Sequence, residues 1–275
     1  MSDYKIICGD CLSALRVISP EDVSCIFADP PDNIGLKYKS YKDRLAAEDY
    51  KNAMENWLHA MLLASDTVWL SFNARWLLHI ASITNLMLSL HPDLQVKPCT
   101  QTFTFGQHNK HDLGNNHRPL WRFQHLGAPL YPDAIRVPSW RQLHGDKRAD
   151  PKGRVPGDVF DFPRVTGNSK QRRKWCPTQL HEGLVERCLL LTTQPGDLVL
   201  DPFAGTGTTL RVCKRIGRRC ILIEMDSSYC EKIAGEHGLV IEKLPGEGRA
   251  IRGHRKADKR FLMGQGTLFP LEEAA

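Results

Sequence analysis

The sequence predicts an α/β fold, a mostly parallel sheet with helices on both faces, and two observations carry the prediction. Short apolar runs at 4–8, 23–27, 68–72, 198–200 and 220–223 alternate with stretches whose apolar residues recur at helical spacing, the pattern of β-α-β units. Four of these runs are followed within two residues by an acidic residue, Asp10, Asp29, Asp201 and Glu224, and open parallel sheets bind ligands beyond the carboxyl ends of their strands.

The elements follow in order. Residues 4–8 read as a short strand, 12–17 as helical, and 23–27 as a second buried strand. Tyr50, Met54, Trp57, Leu58, Met61 and Leu62 recur at helical spacing, as do Trp76, Ile80, Ile83, Met87 and Leu90; these aromatics are read as core. Between the two helices 68–72 is strand-like, and 101–105 alternates as another strand. From 106 to about 174 Pro, Gly, Asn, His and Arg dominate and helical periodicity disappears, which reads as an inserted subdomain. Regularity resumes with a helix over 179–192, a strand at 198–200, a helix after Gly207 and a strand at 220–223. The tail from Leu239 is basic and aperiodic and is expected to be loosely ordered. The predicted division is thus 1–106, 107–175, 176–238 and 239–275.

Composition excludes several classes. With 41% hydrophobic and 25% charged residues in 275, the chain has the profile of a globular protein, and the most apolar region, 57–90, is interrupted by Asp66, Asn73 and Arg75 before it reaches membrane-spanning length. The start, Met1-Ser2-Asp3-Tyr4-Lys5, lacks the order of a signal peptide, so a cytoplasmic setting is expected. Nine scattered cysteines fit reduced thiols better than a disulfide framework, and the close pair Cys8 and Cys11 has no partner pair to complete a zinc tetrahedron, so no metal is expected. The formal charge is +6, yet residues 108–175 hold fourteen Lys or Arg against six Asp and no Glu. A segment of that charge suits a polyanion.

The strongest local signal is Asp201-Pro202-Phe203-Ala204-Gly205-Thr206-Gly207-Thr208-Thr209, which follows an apolar strand and precedes a helix. Glu224 ends the next strand about twenty residues later, the spacing at which a carboxylate reaches ribose hydroxyls. The pair points to a nucleoside-like cofactor. Nothing here has the Gly-Lys-Ser/Thr of a phosphate loop, and Asp201 would repel a pyrophosphate, so the cofactor is expected to carry an ammonium or sulfonium. The second signal is Asp29-Pro30-Pro31-Asp32-Asn33-Ile34-Gly35 directly after a buried strand; read alone, it is equally well a turn.

Taken together, these motifs resemble the beta-class amino-methyltransferases, which methylate N6 of adenine or N4 of cytosine in DNA. Their Asp/Ser-Pro-Pro-Tyr motif corresponds to Asp29–Asp32 and precedes their glycine motif, here Asp201 to Gly207. Cys176-Pro177-Thr178-Gln179 resembles the family's His-Pro-Thr-Gln segment, and Gly9-Asp10-Cys11 its short Gly-Asp motif. The resemblance implies a Rossmann-like S-adenosylmethionine-dependent methyltransferase fold with an inserted target-recognition subdomain. It also implies a cofactor set of Asp10, Asp29, Thr178, Asp201, Phe203, Gly205, Thr206, Gly207 and Glu224. Asp201 and the glycine backbone would face the methionine end, Glu224 the ribose and Asp10 the adenine amino group.

The implied reaction is methyl transfer to an exocyclic amine, with Asp29, Pro30, Pro31 and Asp32 as the catalytic motif. Such a nitrogen is a poor nucleophile because its lone pair is delocalised into the ring; accepting its N–H bonds at Asp29 and the Pro30 carbonyl would localise that pair and aim it. A base inside a duplex is out of reach, so it would be flipped into the crevice at a cost of a few kcal/mol and held by stacking. Asp32 departs from the family, because a carboxylate cannot stack; Tyr38, Tyr41 and Trp175 are the replacement rings expected from motif position. Arg118, Arg122, Arg141, Arg172, Arg173 and Lys174, interleaved with aromatics, are the expected DNA contacts. Gln265-Gly266-Thr267-Leu268-Phe269 resembles the peptide by which bacterial DNA enzymes dock on the sliding clamp, the alternative being an apolar pair packed on its own domain. Adenine is expected at the target because Asp at the first motif position is commoner in the adenine enzymes. The alternatives are N4-cytosine methylation, a non-catalytic DNA-binding subunit, and an RNA or protein substrate. The resemblance also implies a homodimer, and a role in restriction-modification, for which the sequence itself gives no signal.

Overall fold

Ten strands and seven helices are found among the described residues of the computed structural model, which are 3–19, 22–38, 41–104 and 109–244. In chain order they are β1 (Tyr4–Cys8), α1 (Cys11–Leu15), β2 (Cys25–Ala28), α2 (Ala47–Ala64), β3 (Thr67–Ser71), α3 (Leu77–Leu90), β4 (Leu94–Lys97), β5 (Thr100–Thr102), β6 (His117–His125), α4 (Trp140–Leu143), β7 (Val159–Asp161), α5 (Glu182–Thr192), β8 (Leu198–Asp201), α6 (Thr208–Ile216), β9 (Arg219–Glu224), α7 (Ser227–His237) and β10 (Ile241–Lys243). The strands make one sheet in the order β10-β1-β9-β8-β2-β3-β6-β5-β7, with β4 also on β6. The half from β10 to β3 is parallel throughout, and β6 joins β3 antiparallel.

The alternation of each strand sorts its side chains into two cores, because successive residues point to opposite faces. Ile7, Ile26, Ala28, Val68, Leu70, Leu198 and Leu200 pack with α1, α2 and α3 on one face. Ile6, Cys25, Phe27, Trp69, Val199, Cys220 and Leu222 pack with α5, α6 and α7 on the other. Both faces are covered, which is why the strands read as nearly continuous apolar runs. Polar residues set where the helices begin and end: the Asp10 carboxylate accepts from Ser13 N at 2.9 Å at the head of α1, and Asp226 Oδ1 accepts from Ser228 N and Tyr229 N at the head of α7. Gly217 ends α6 in the left-handed region at φ 72°.

The connection leaving β8 runs through α6 to β9 on one side, whereas that leaving β2 runs through α2 to β3 on the other. The neighbours β2 and β8 therefore flank a topological switch point, where a crevice opens beyond the carboxyl ends.

Three expectations change. The segment read as an insertion is not set apart from the sheet: β6 lies within it and is a sheet strand, paired from Thr67↔Gln124 to Ser71↔Leu120. Its arginines and Pro119 disguised it. The helix expected from residue 179 begins at Glu182, because Gln179 is occupied in the preceding loop, accepting from Arg173 N at 2.8 Å and donating to Gln171 O at 2.6 Å. The tail is not aperiodic from its start, since β10 pairs parallel with β1 at Ile6↔Ile241. Residues 245–275, with the clamp-like peptide at Gln265, Leu268 and Phe269, lie outside the described residues.

Candidate active site

Four acids expected from the sequence stand at the carboxyl ends of four strands: Asp10 after β1, Asp29 after β2, Asp201 closing β8 and Glu224 closing β9. β1, β9, β8 and β2 are consecutive in the sheet, so the acids line one edge of it.

The residues expected to hold the cofactor gather around Glu224 and the turn after β8. Glu224 Oε2 accepts from Gly205 N at 2.8 Å and Oε1 from Asp226 N at 2.8 Å. Asp201 Oδ1 accepts from Phe203 N at 3.0 Å and Oδ2 from the Thr209 hydroxyl at 2.5 Å. The turn needs its glycines, since Gly205 sits at φ 51° and Gly207 at φ 72°. A Cβ at Gly207 would in addition meet Ile233 at 3.4 Å. The Thr206 hydroxyl shares a hydrogen bond with Thr208 at 2.9 Å, and the Thr206 carbonyl accepts from Arg211 Nη1 at 2.7 Å. Phe203 packs edge-on against Trp57 at 5.1 Å.

Among the described residues no Lys or Arg pairs with Asp201 or Glu224; their partners are neutral N–H and O–H groups. Burial with no compensating cation pushes both carboxyls up to about 7. A pair of uncompensated buried acids is a site for a cation with hydroxyl donors, which fits S-adenosylmethionine.

A pH dependence follows. As pH falls through about 7 these acids take up protons, so a cationic cofactor bound there would lose the negative charge opposite it. S-adenosylmethionine affinity measured by calorimetry is therefore expected to be at least about fivefold weaker at pH 6 than at pH 8. Equal affinities would show that neither carboxylate bears on the cofactor's charge.

The residues expected to be catalytic lie on the turn after β2. The Tyr50 hydroxyl donates to the Pro31 carbonyl at 2.7 Å and Trp76 Nε1 to the Asp32 carbonyl at 2.8 Å. No donor among the described residues reaches the carbonyl of Pro30. Beyond Asp32 the loop is tied by Asp43, which accepts from Asn33 N, Ile34 N and Leu36 N at 2.7, 3.1 and 2.8 Å.

Asp29 and Asp32 share one cation, Arg118 of β6. Its Nη2 donates to Asp29 Oδ1 at 2.6 Å, Nη1 and Nη2 donate to Asp32 at 2.8 and 3.0 Å, and Nε donates to Ser71 Oγ at 2.6 Å. Burial raises the pKa of Asp29, the guanidinium pulls it back down, and the Asp32 charge adds to the rise.

Several expected DNA contacts are placed elsewhere. Arg118 is inside the site. Arg122 lies over the Trp69 ring at 5.7 Å, half-buried. Arg172 donates to the Pro177 carbonyl at 3.2 Å, and Arg173 forms an ion pair with Glu236 of α7, so both brace the loop ahead of α5. Arg141 and Lys174 are exposed. Of the three expected rings, Trp175 packs on Tyr229 at 5.0 Å beneath Lys232. The Tyr38 hydroxyl meets Thr178 Oγ1 at 3.3 Å, and Tyr41 stands edge-on to Tyr38 at 6.4 Å. Sequence reasoning gave Arg118 to DNA and not to the Asp29 carboxylate, and it did not single out Tyr50, Ser71, Trp76 or Asp43. The signal for Arg118 was Asp32 itself, since a buried carboxylate at an aromatic position requires a cation.

A mostly parallel sheet with a switch-point crevice lined by strand-end acids is the arrangement in which α/β enzymes bind nucleoside cofactors. Residues 23–235 match the DNA methylase family of N6- and N4-methyltransferases, and the chain belongs to it. It is 33% identical over 246 residues to the DNA adenine methyltransferase YhdJ of Escherichia coli K12, covering 82% of this chain and 79% of that protein. It is 29% identical over 234 residues to the type II methyltransferase M.HpaI of Haemophilus parainfluenzae, covering 83% and 72%. Among solved structures, PvuII DNA methyltransferase (cytosine-N4-specific) superposes with a TM-score of 0.65 at 16% identity, covering 91% of this chain and 89% of that one; this likeness is one of fold. The protein is thus a DNA methyltransferase with the Rossmann-like methyltransferase fold, and its cofactor is S-adenosylmethionine.

Proposed function

We propose that the chain is a site-specific methyltransferase acting on the exocyclic N6 of a flipped adenine. The observation that carries this reading is Asp29 at the switch point, with one oxygen on Arg118 and the adjacent Pro30 carbonyl without a donor. The bound cofactor supplies an electrophilic methyl group. Asp29 and the Pro30 carbonyl accept the two amine N–H bonds, and Asp29 draws off the proton as the nitrogen is alkylated. Tyr38, within electrostatic reach of Asp29 and bonded to Thr178 of the Cys-Pro-Thr-Gln segment, is the ring proposed to stack on the base. The adenine preference rests on Asp at position 29 and on the likeness to YhdJ; a role within a restriction-modification pair, in the cytoplasm, rests on the type II relatives.

The test is to incubate the protein with methyl-labelled S-adenosylmethionine and unmodified genomic DNA, digest to nucleosides and identify the product by mass. N6-methyl-2′-deoxyadenosine is the expected product. N4-methyl-2′-deoxycytidine would move the target to cytosine, and the absence of any labelled nucleoside would overturn the reading.

The DNA face is proposed to lie on α4 and the following loop. Trp140 is 70% exposed and stacks on His144 at 3.9 Å, beside exposed Arg141, Lys147, Arg148, Lys152 and Arg154. A Ser139–Gln142 capping box makes this short helix a firm platform. Replacing Arg141, Lys147 and Lys152 by Ala is expected to reduce the slope of log affinity against log salt by about 2 to 3. An unchanged slope would move the DNA to another face.

A further inference from the structure

The residue after Pro31 is where this site leaves its family's pattern, and the structure supplies what occupies the place of the aromatic ring. The Asp32 side chain is 9% exposed and that of Arg118 17%. The fork of Arg118 is fully engaged along one edge: Asp32 takes Nη1 and Nη2, Asp29 takes Nη2, and the Ser71 hydroxyl takes Nε. A planar guanidinium with bonds in three directions has a single orientation, unlike an ammonium. We propose that Asp32 and Arg118 form a positioning pair for Asp29: Asp32 fixes the guanidinium plane, and the guanidinium holds Asp29 Oδ1 so that the other oxygen receives the target amine. This rests on the reading of Asp29 as the acceptor of that amine.

The pair works only as a pair. Asp32 alone would set a second negative charge beside a buried carboxylate and favour a proton on Asp29, which then could not accept from the amine. Arg118 alone would lie in the crevice with one carboxylate and two possible directions. Together the three groups carry a net single negative charge. The other titratable groups facing Asp29 do not substitute for Arg118: Asp201, from β8, adds repulsion, and Tyr38 is a neutral phenol whose pKa burial raises further. Arg118 and Asp32 are thus positioning residues, acting through Asp29.

The test is carbon-13 NMR titration of side-chain-labelled aspartate in the full chain, with Asp29 assigned by its loss in Asp29→Asn, alongside the pH profile of methyl transfer. Arg118→Met is expected to raise the Asp29 titration midpoint by about one pH unit or more. It should also lower kcat at pH 7 by about tenfold and leave KM for the cofactor within about twofold. Arg118→Met/Asp32→Tyr removes the second carboxylate and should recover at least half of the midpoint shift. Should Arg118→Met not fold by circular dichroism, Arg118→Lys decides: charge without the fork should keep the midpoint near wild type yet lower kcat. An unmoved Asp29 in Arg118→Met, a double variant as shifted as the single, or full kcat in Arg118→Lys would overturn the pair. A midpoint shift in a protein that methylates nothing would uphold the pair and remove the reading of the reaction.

Discussion

Asp29→Ala is expected to reduce methyl transfer by about a thousandfold, the largest effect on activity of any single substitution here. Single-turnover transfer of labelled methyl groups to DNA measures it, with cofactor binding followed separately. The magnitude follows from what the carboxylate is placed to do. An exocyclic amine attacks only when its lone pair is released from the ring, and two acceptors in line with its N–H bonds accomplish that, one of them charged. Removing the charged one leaves the Pro30 carbonyl, which can orient the amine but cannot take up its proton. Asp201 and Glu224, the acids expected to face the cofactor, are held by Phe203, Thr209, Gly205 and Asp226 and share no hydrogen bond with Asp29. S-adenosylmethionine affinity is therefore expected to change by less than about tenfold. Asp29→Asn separates charge from shape: its amide oxygen still accepts but its charge is gone, so it should fall between Ala and wild type. Transfer by Asp29→Ala within tenfold of wild type would show that the amine is activated elsewhere.

The parts legible in the sequence were those whose information is local. A short apolar run with an acid at its end or within two residues beyond it is a buried parallel strand with a polar carboxyl end, and β1, β2, β8 and β9 all have that form. The glycine turn after β8 was legible for the same reason, because its backbone requirement lies within a few residues. β6 was not, because His117–His125 carries Arg118, Pro119 and Arg122 in place of a clean alternation. Charge in the sequence reads as exposure unless its partners are known. The partners of Arg118 lie 86 and 89 residues earlier and become neighbours only when β6 pairs with β3, so composition assigned it to DNA when tertiary structure buries it. Arg173 likewise has a partner that composition does not show, its carboxylate standing 63 residues later on α7. Arg141 is different, because its one carboxylate neighbour, Asp146 at 4.0 Å, stands only five residues away and leaves its side chain exposed.

The loop that carries the motif onward is expected to fail most severely on Asp43→Ala, with a loss of about 3 kcal/mol of stability and nearly all activity. Asp43 is 2% exposed, and its two oxygens accept three backbone N–H groups from residues 33, 34 and 36, while its carbonyl accepts from Gly35 N. Asn33 adopts φ 54°, tolerable for an Asn whose side chain is locked by giving Nδ2–H to the Leu45 carbonyl and accepting from Leu45 N at 2.6 Å. The two sides of this loop therefore close on each other through these polar contacts. Alanine would leave three inward-facing N–H groups without an acceptor, each costing about 1 kcal/mol or more. The strained Asn33 would then relax, and with it the adjacent Asp32 that anchors Arg118. Asp43→Asn retains one acceptor oxygen and should lose roughly half as much stability, so a denaturant series of the two variants, read with methyl transfer in native buffer, separates the loop's fold from its chemistry. Stability unchanged in Asp43→Ala would mean that the turn is held by the motif itself and that Asp43 merely accompanies it.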